Sequence, residues 1–496
     1  MRKAGVLLPV SSLMGEYGIG DFGASAKYFA DYIKRIGFKI WQILPITILG
    51  LGNSPYSGVS AFAGNALLID ITQLPERLVS REEREECKIY SPYRVDYFGV
   101  RTKKMVALRR AAERLNDEDK EAVAAFAKEN AFWLEDYALY MAIRDDTGKE
   151  WGEWDDKLKF RDKHALREAR ERLSADVLYY EFEQYLFYTQ WAKLKEYVNS
   201  LGVEIFGDMP IYVAYNSPEV WANPSNFRLD KHLKPTEVAG VPPDYFAEDG
   251  QLWGNPLYNY EAMEKDGYAW MTERIVHNLK MYDILRIDHF RGLCEYWAVP
   301  AEAKTAKEGK WRAGPGMKLW KAVRKRVKDP QIVAEDLGII DDKVVKYLEE
   351  TGFPGMRVLQ FAFDGLKDNP HLPYNYPINT VAYTATHDNN TSLGWLYTLD
   401  HGTLDKVLEF IDVSHSEWGE GGRHCKSTQA MARAVAASSA RTVIFPLQDL
   451  TGYGGDTRLN VPGTPEGNWE FRATLATLED IDTDFYRKLL DIYGRN

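Results

Sequence analysis

Four carboxylates occupy comparable places in this sequence, each at or just past the end of an apolar run: Asp208 in VEIFGDMPIYV, Asp288 in ILRIDHFRG, Glu335 in QIVAEDLG and Asp388 in TVAYTATHDNN. The second run carries the most information. Ile284, Leu285 and Ile287 read as a buried strand. Arg286 and Asp288 interrupt it two residues apart, so on a strand both project to one face. A charged pair there is costly unless its members are partnered or needed. Two chemistries fit: a structural ion pair, or a working carboxylate held ionised by the adjacent guanidinium. One acid at a strand end means little. Four converging on one face would repel one another unless a site required them, which favours the second reading.

Convergence needs a fold that brings four distant segments to one mouth. The sequence alternates in a way that does this. Strand-like runs lie at 6–10, 39–46, 203–213, 284–288, 331–338, 356–363, 380–390 and 441–448. Helical stripes separate them. Tyr28, Phe29, Tyr32, Ile33 and Ile36 mark a helix over 24–36 that Gly37 ends. Others cover 180–201, Met271–Leu279, Leu319–Val327, Val344–Leu348, 402–411 and 425–440. Eight strands separated by helices predict an α/β chain of the (β/α)8 TIM-barrel class, spanning 1–496 as one catalytic domain. Two insertions interrupt it. A charged, helix-patterned one runs over about 74–176, with Trp133, Trp151 and Trp154 as its core. A loop-rich one over about 214–260 is placed to cover a substrate, because so long a loop in a compact protein is usually functional. Beyond the eighth strand 48 residues remain, too few for a large C-terminal β-sandwich domain. In such a barrel the carboxyl ends of the strands form the catalytic face.

Composition narrows the ligand. A formal charge of −11 argues against nucleic acid or an anionic membrane surface as partner. With 14 Trp, 30 Tyr and 21 Phe, a surplus of aromatic side chains is available for a ligand with apolar faces, such as a sugar ring. Cys87, Cys294 and Cys425 are far apart and odd in number, which points to a reducing, cytoplasmic setting without a disulfide framework. The opening MRKAGVLLPV is too short and too soon broken by Pro9 to be a signal peptide and reads as a first strand. No apolar stretch approaches the ~20 residues that span a bilayer. Gly18, Gly20 and Gly23 spell GxGxxG, but the loop starts late after its strand and no ribose-binding acid follows, so no dinucleotide is expected. His289 and His387 lack metal-ligand spacing, and neither a metal nor an organic cofactor is expected.

Two carboxylates flanking one bond are the requirement of glycoside chemistry. Arg286 would keep Asp288 ionised and nucleophilic. Glu335, with less cationic help, is the better candidate for a raised pKa and the acid role. Asp388 would hold sugar hydroxyls and offset positive charge at the transition state.

RIDHFRG, AEDLG, THDNN, GDMPIYV, the loop EDGQLWGNP and RLNVPGT at 458–464 resemble the 4-α-glucanotransferases (amylomaltases, or disproportionating enzymes), a family of the wider α-amylase clan. The resemblance runs from GVLLPVSSL to FRAT at 471–474. It implies a retaining transfer of α-1,4-glucan segments from a donor to the 4-hydroxyl of an acceptor glucan or maltooligosaccharide. Asp288 would be the nucleophile, Glu335 the acid and then base, and Asp388 the transition-state stabiliser. Arg286, His387 and Asp208 would bind the sugar at the cleavage point, and Tyr56, Glu248, Trp253, Asp364 and Asn460 would line the glucan groove. Three rivals stand beside it: an α-amylase-type hydrolase, a non-catalytic glucan-binding barrel, and a sugar-phosphate isomerase using GYGGDT at 452–457 as a phosphate loop.

Overall fold

The structure is a computed structural model that describes residues 2–243, 248–338 and 340–496. Its strands are β1 (Lys3–Leu7), β2 (Ile40–Gln42), β3 (Glu204–Met209), β4 (Glu237–Val241), β5 (Gln251–Pro256), β6 (Ile284–Ile287), β7 (Glu295–Pro300), β8 (Lys310–Ala313), β9 (Ile332–Ala334), β10 (Gly355–Val358), β11 (Thr380–Tyr383) and β12 (Thr442–Pro446). Eight of them form one parallel sheet in the order β10-β11-β12-β1-β2-β3-β6-β9. Their side chains are buried on both faces, as expected where helices cover the outside and side chains fill the interior.

The ladder leaves β9 and β10 as its two edges, and local contacts close them into a barrel. The Ala334 N–H donates to the Pro354 carbonyl at 2.9 Å. Asp336, just past β9, accepts from the Met356 N–H at 2.6 Å and from Arg357 at 2.9 Å. One buried carboxylate thus supplies two of the seam's bonds. Asp336→Ala removes the carboxylate partner of Arg357, whose Nη1 keeps only the Met356 carbonyl, and leaves the Met356 N–H without its acceptor, a loss of about 3 kcal/mol for a broken buried pair. Urea unfolding is expected to show the lowered midpoint; an unchanged midpoint would remove Asp336 from this role.

The strands are shorter than the apolar runs that announce them. The runs at 203–213 and 380–390 contain only Glu204–Met209 and Thr380–Tyr383 as strand. The remainder leaves the ladder at the mouth and becomes site loop. The helix Ala24–Ile36, α1, ends at Gly37 in the left-handed region (φ 112°), though Tyr28 of the expected stripe is exposed. In the GxGxxG loop, a Cβ on Gly20 would lie 2.0 Å from the Val10 carbonyl oxygen. That glycine serves close packing of the chain on itself.

The stretch over 74–176 is helical: α2 (Arg81–Glu86), α3 (Tyr97–Glu113), α4 (Asp117–Glu129), α5 (Ala131–Thr147), α6 (Asp156–Lys159) and α7 (Lys163–Arg172), followed by the long α8 (Ser174–Ser200). Trp133, Trp151 and Trp154 are buried. Helix α8 starts six residues earlier than its apolar stripe suggests. Its Gln184 and Gln190 clamp the chain after β2. Each amide accepts from a backbone N–H and donates to the carbonyl of the same residue, Gly64 for the first and Asp70 for the second, at 2.7–3.0 Å. This anchors the segment that carries Tyr56 toward the mouth.

The segment 214–260, read as loop, contains the short helix α9 (Pro218–Ala222) and strands β4 and β5. With β7 and β8 these form a four-stranded antiparallel sheet in the order β5-β4-β7-β8. Its central pair, β4 with β7, meets across distant sequence, and β5 is exposed over Gln251–Gly254, so no buried alternation marked that strand. Among the described residues, no helix is long and apolar enough to cross a membrane.

Candidate active site

Strand register assembles the mouth of the barrel. Asp208 on β3 pairs with Arg286 on β6, and Ile287 on β6 pairs with Ala334 on β9. Asp288 and Glu335 are therefore the next residues on two neighbouring strands, whose backbones lie about 4.8 Å apart. Arg286, buried among them, donates from Nη1 to Asp208 Oδ2 at 2.5 Å and from Nη2 to Asp288 Oδ1 at 2.9 Å. The two charged residues expected on one face of the strand do meet there.

Glu335 is held by backbone. The His289 N–H donates to Oε2 and the Leu337 N–H to Oε1, both at 2.8 Å. His289 has a left-handed backbone (φ 49°), unusual for a non-glycine residue, and that turn swings its N–H onto the carboxylate. On the opposite side, Asp388 follows β11. Asn460 Nδ2 donates to its Oδ1 at 2.6 Å, and His387 Nε2 lies 3.2 Å from its Oδ2. Arg458 donates to the Asp388 backbone carbonyl at 2.6 Å. The Tyr56 ring stacks on His387 with centroids 4.9 Å apart, and its hydroxyl donates to Asp208 Oδ2 at 2.8 Å.

These environments separate the three carboxyl groups. Burial raises Asp288 to about 6, with Arg286 opposing and the charges of Asp208 and Asp388 adding to the rise. Burial raises Glu335 further, to about 7; Arg286 opposes, Asp288 adds, and the two backbone N–H groups pull down. Burial also works upward on Asp388, but His387, Asn460 and Arg286 outweigh it and hold that carboxyl well below the usual range. One group ready to give a proton beside another ready to attack is the arrangement that acid-assisted cleavage of an acetal needs.

A cavity of about 1630 Å³ opens over these groups. Tyr56, Trp253, Arg286, Asp288, Glu335, Asp364, Asp388 and Asn460 all line it. Three expected residues do not. Asp208 and His387 are buried beneath it, where they hold Arg286, Tyr56 and Asp388. The family resemblance implied that both would bind the sugar; here the Tyr56 ring stacks on His387 and its hydroxyl donates to Asp208. Glu248 is almost fully exposed, 3.9 Å from Lys307 at its nearest. Tyr245 and Phe246, expected in the covering loop, lie outside the described residues.

Other lining residues escaped the sequence reading. Trp469, with φ 66°, packs 5.8 Å from Tyr56 and 6.0 Å from His387. Phe363 and Trp395 form an aromatic wall at one side, with ring centroids 5.9 Å apart. Trp311, on β8, faces the Arg291 guanidinium at 4.0 Å at another. The aromatic surplus was the only signal for them. Among the described residues no group of three or more His, Cys, Asp and Glu is placed to hold a metal ion. Burial lowers His289 to about 3, leaving a neutral ring under the edge-on Trp253 at 4.8 Å.

The sequence profile of the 4-alpha-glucanotransferase family matches residues 8–477. A 4-alpha-glucanotransferase of Aquifex aeolicus is 43% identical over the whole of both chains. One of Thermus thermophilus is 42% identical over 95% of this chain and 94% of its own. Among solved structures, an amylomaltase of Streptococcus agalactiae in complex with acarbose superposes with a TM-score of 0.95 at 38% identity, covering both chains in full. With a matching profile over nearly its entire length and relatives above 40% identity, the chain belongs to the 4-alpha-glucanotransferase family.

Proposed function

We propose that this chain transfers α-1,4-glucan segments between maltooligosaccharides by double displacement. The observation that carries the reading is the pair of adjacent strand ends: Asp288 against Arg286, and Glu335 gripped by the His289 and Leu337 N–H groups. An Asp288 carboxylate oxygen attacks the anomeric carbon as the glycosidic C–O bond breaks, and protonated Glu335 gives its proton to the departing 4-oxygen. The donor remains as a glucosyl ester on Asp288. An acceptor 4-hydroxyl then attacks the same carbon, Glu335 takes back its proton, and the ester bond breaks. Asp388, kept ionised by His387 and Asn460, faces the positive charge that develops on the ring in both steps. Arg286 and Asn460 position the sugar and the carboxylates; Tyr56, Trp253 and Asp364 line its path; Asp208 and His387 brace that layer from below.

Transfer prevails over hydrolysis when a second sugar reaches the ester before water does. Trp253, 37% exposed at the rim above His289, is the side chain best placed to favour a sugar ring there. Trp253→Ala is expected to raise KM for acceptor sugars about tenfold, the loss of one stacking contact, and to increase the hydrolysed fraction. An unchanged product profile would count against it. For the reaction itself, incubation with maltotriose should produce a ladder of shorter and longer oligosaccharides at a constant number of reducing ends. A steady rise in reducing ends would favour the hydrolase. The three cysteines are unpaired, which suits a cytoplasmic setting.

A further inference from the structure

A second cavity, of about 650 Å³, lies away from the cleft between α3, α5, α8 and the segment after β2. Four arginines line it in a chain whose formal charge is −11. One of them, Arg109, is neutralised by Asp145 at 3.0 Å and Asp176 at 2.5 Å. The other three, Arg101, Arg110 and Arg144, have no carboxylate within ion-pair distance among the described residues. The carboxylates on the lining are Glu113 at the rim and Glu183 at the floor. Glu183 accepts from the Tyr137 hydroxyl at 3.4 Å, the Tyr179 hydroxyl at 3.0 Å and Gln184 Nε2 at 3.2 Å, with no cation bonded to it among the described residues. Burial raises that carboxyl to about 7, so near neutral pH the floor carries only part of a negative charge.

We propose that this cavity binds a small phosphate-bearing sugar. Guanidinium groups carried on α3 and α5 line the cavity and can donate to phosphate oxygens. The floor of tyrosine rings, with the Glu183 carboxyl among them, suits the alternating apolar and hydroxyl surfaces of a sugar. The volume is within the usual range for a small-molecule site and ample for a hexose phosphate. Ile48, Leu49 and Val59 form part of the wall, so the ligand sits against the back of the segment that presents Tyr56 to the cleft.

Calorimetric titration of the full chain with glucose 6-phosphate, glucose 1-phosphate, inorganic phosphate and glucose tests this. The expected result is saturable binding of a hexose phosphate, weakened by salt, with glucose and inorganic phosphate each at least about tenfold weaker. The Arg110→Ala/Arg144→Ala double variant should weaken it by about tenfold or more, the scale of a lost charge-assisted contact. Arg110 is exposed and Arg144 half-buried, so truncating them leaves the packed helices intact. Absence of saturable binding by both hexose phosphates, undiminished binding in the double variant, or inorganic phosphate binding as tightly as the sugar phosphates would each overturn the assignment.

Discussion

Asp288→Asn is expected to lower transfer from maltotriose by about 10⁴-fold or more, the scale seen when a covalent nucleophile is removed. An amide nitrogen or oxygen does not form the glucosyl ester, and no neighbour substitutes. Glu335 is turned into its backbone N–H clamp, and Asp388 is tied to Asn460 and close to His387. The fold should survive. Arg286 keeps its bond to Asp208, and the substitution removes one of several mutually repelling negative charges from a buried cluster. Thermal unfolding at or above the wild-type temperature is therefore expected together with the loss of activity. A correctly folded variant retaining a tenth of the wild-type rate would remove Asp288 from the nucleophile's role.

Glu335→Gln should cost nearly as much with natural glucans, but it should fail in a distinguishable way. A glutamine gives no proton to the departing oxygen and takes none from the acceptor. With α-glucosyl fluoride, whose leaving group needs little protonation, the first displacement should proceed and the second stall. The glucosyl ester on Asp288 would then accumulate and be visible by mass spectrometry. The pH profile supplies an independent check with a definite sign. In the proposed mechanism Asp288 works ionised, so activity should fall as pH drops below about 6 and the carboxylate takes up a proton. Glu335 would begin each cycle protonated, so activity should fall as pH rises above about 7 and that proton is lost. The wild-type profile should be a narrow bell. With glucosyl fluoride, the first displacement in Glu335→Gln should keep the acid limb and lose the alkaline one. Persistence of the alkaline limb would mean that another group supplies the proton.

Much of this was legible in the chain itself. Local periodicity records which residues are buried in a strand or on a helix face, so the eight barrel strands and most of their intervening helices could be read from apolar spacing alone. The identity of the acids at the strand ends was also legible, because four of them recur at the ends of apolar runs, where one alone would mean little. The short motifs around them supplied the family.

Tertiary structure decided the rest, because it depends on which distant segments meet. Side-chain spacing within ILRID puts Arg286 and Asp288 on one face. Only the register of β3 against β6 sets Asp208 on the other side of the guanidinium. Nothing in the local pattern around RIDHF says that the backbone N–H of His289 will hold Glu335; that follows from a left-handed turn packed against the next strand. Asp208, Glu335 and Asp388 look alike as acids at strand ends. Burial under Tyr56, a backbone clamp, and a tie to Asn460 make them chemically different. The antiparallel sheet of β4, β5, β7 and β8 was likewise hidden, since β4 meets β7 from far along the chain and the largely exposed β5 and β8 carry no buried alternation. Composition and periodicity are properties of neighbours along the chain, whereas register, burial of a charge and the proton affinity that follows from it are properties of neighbours in space.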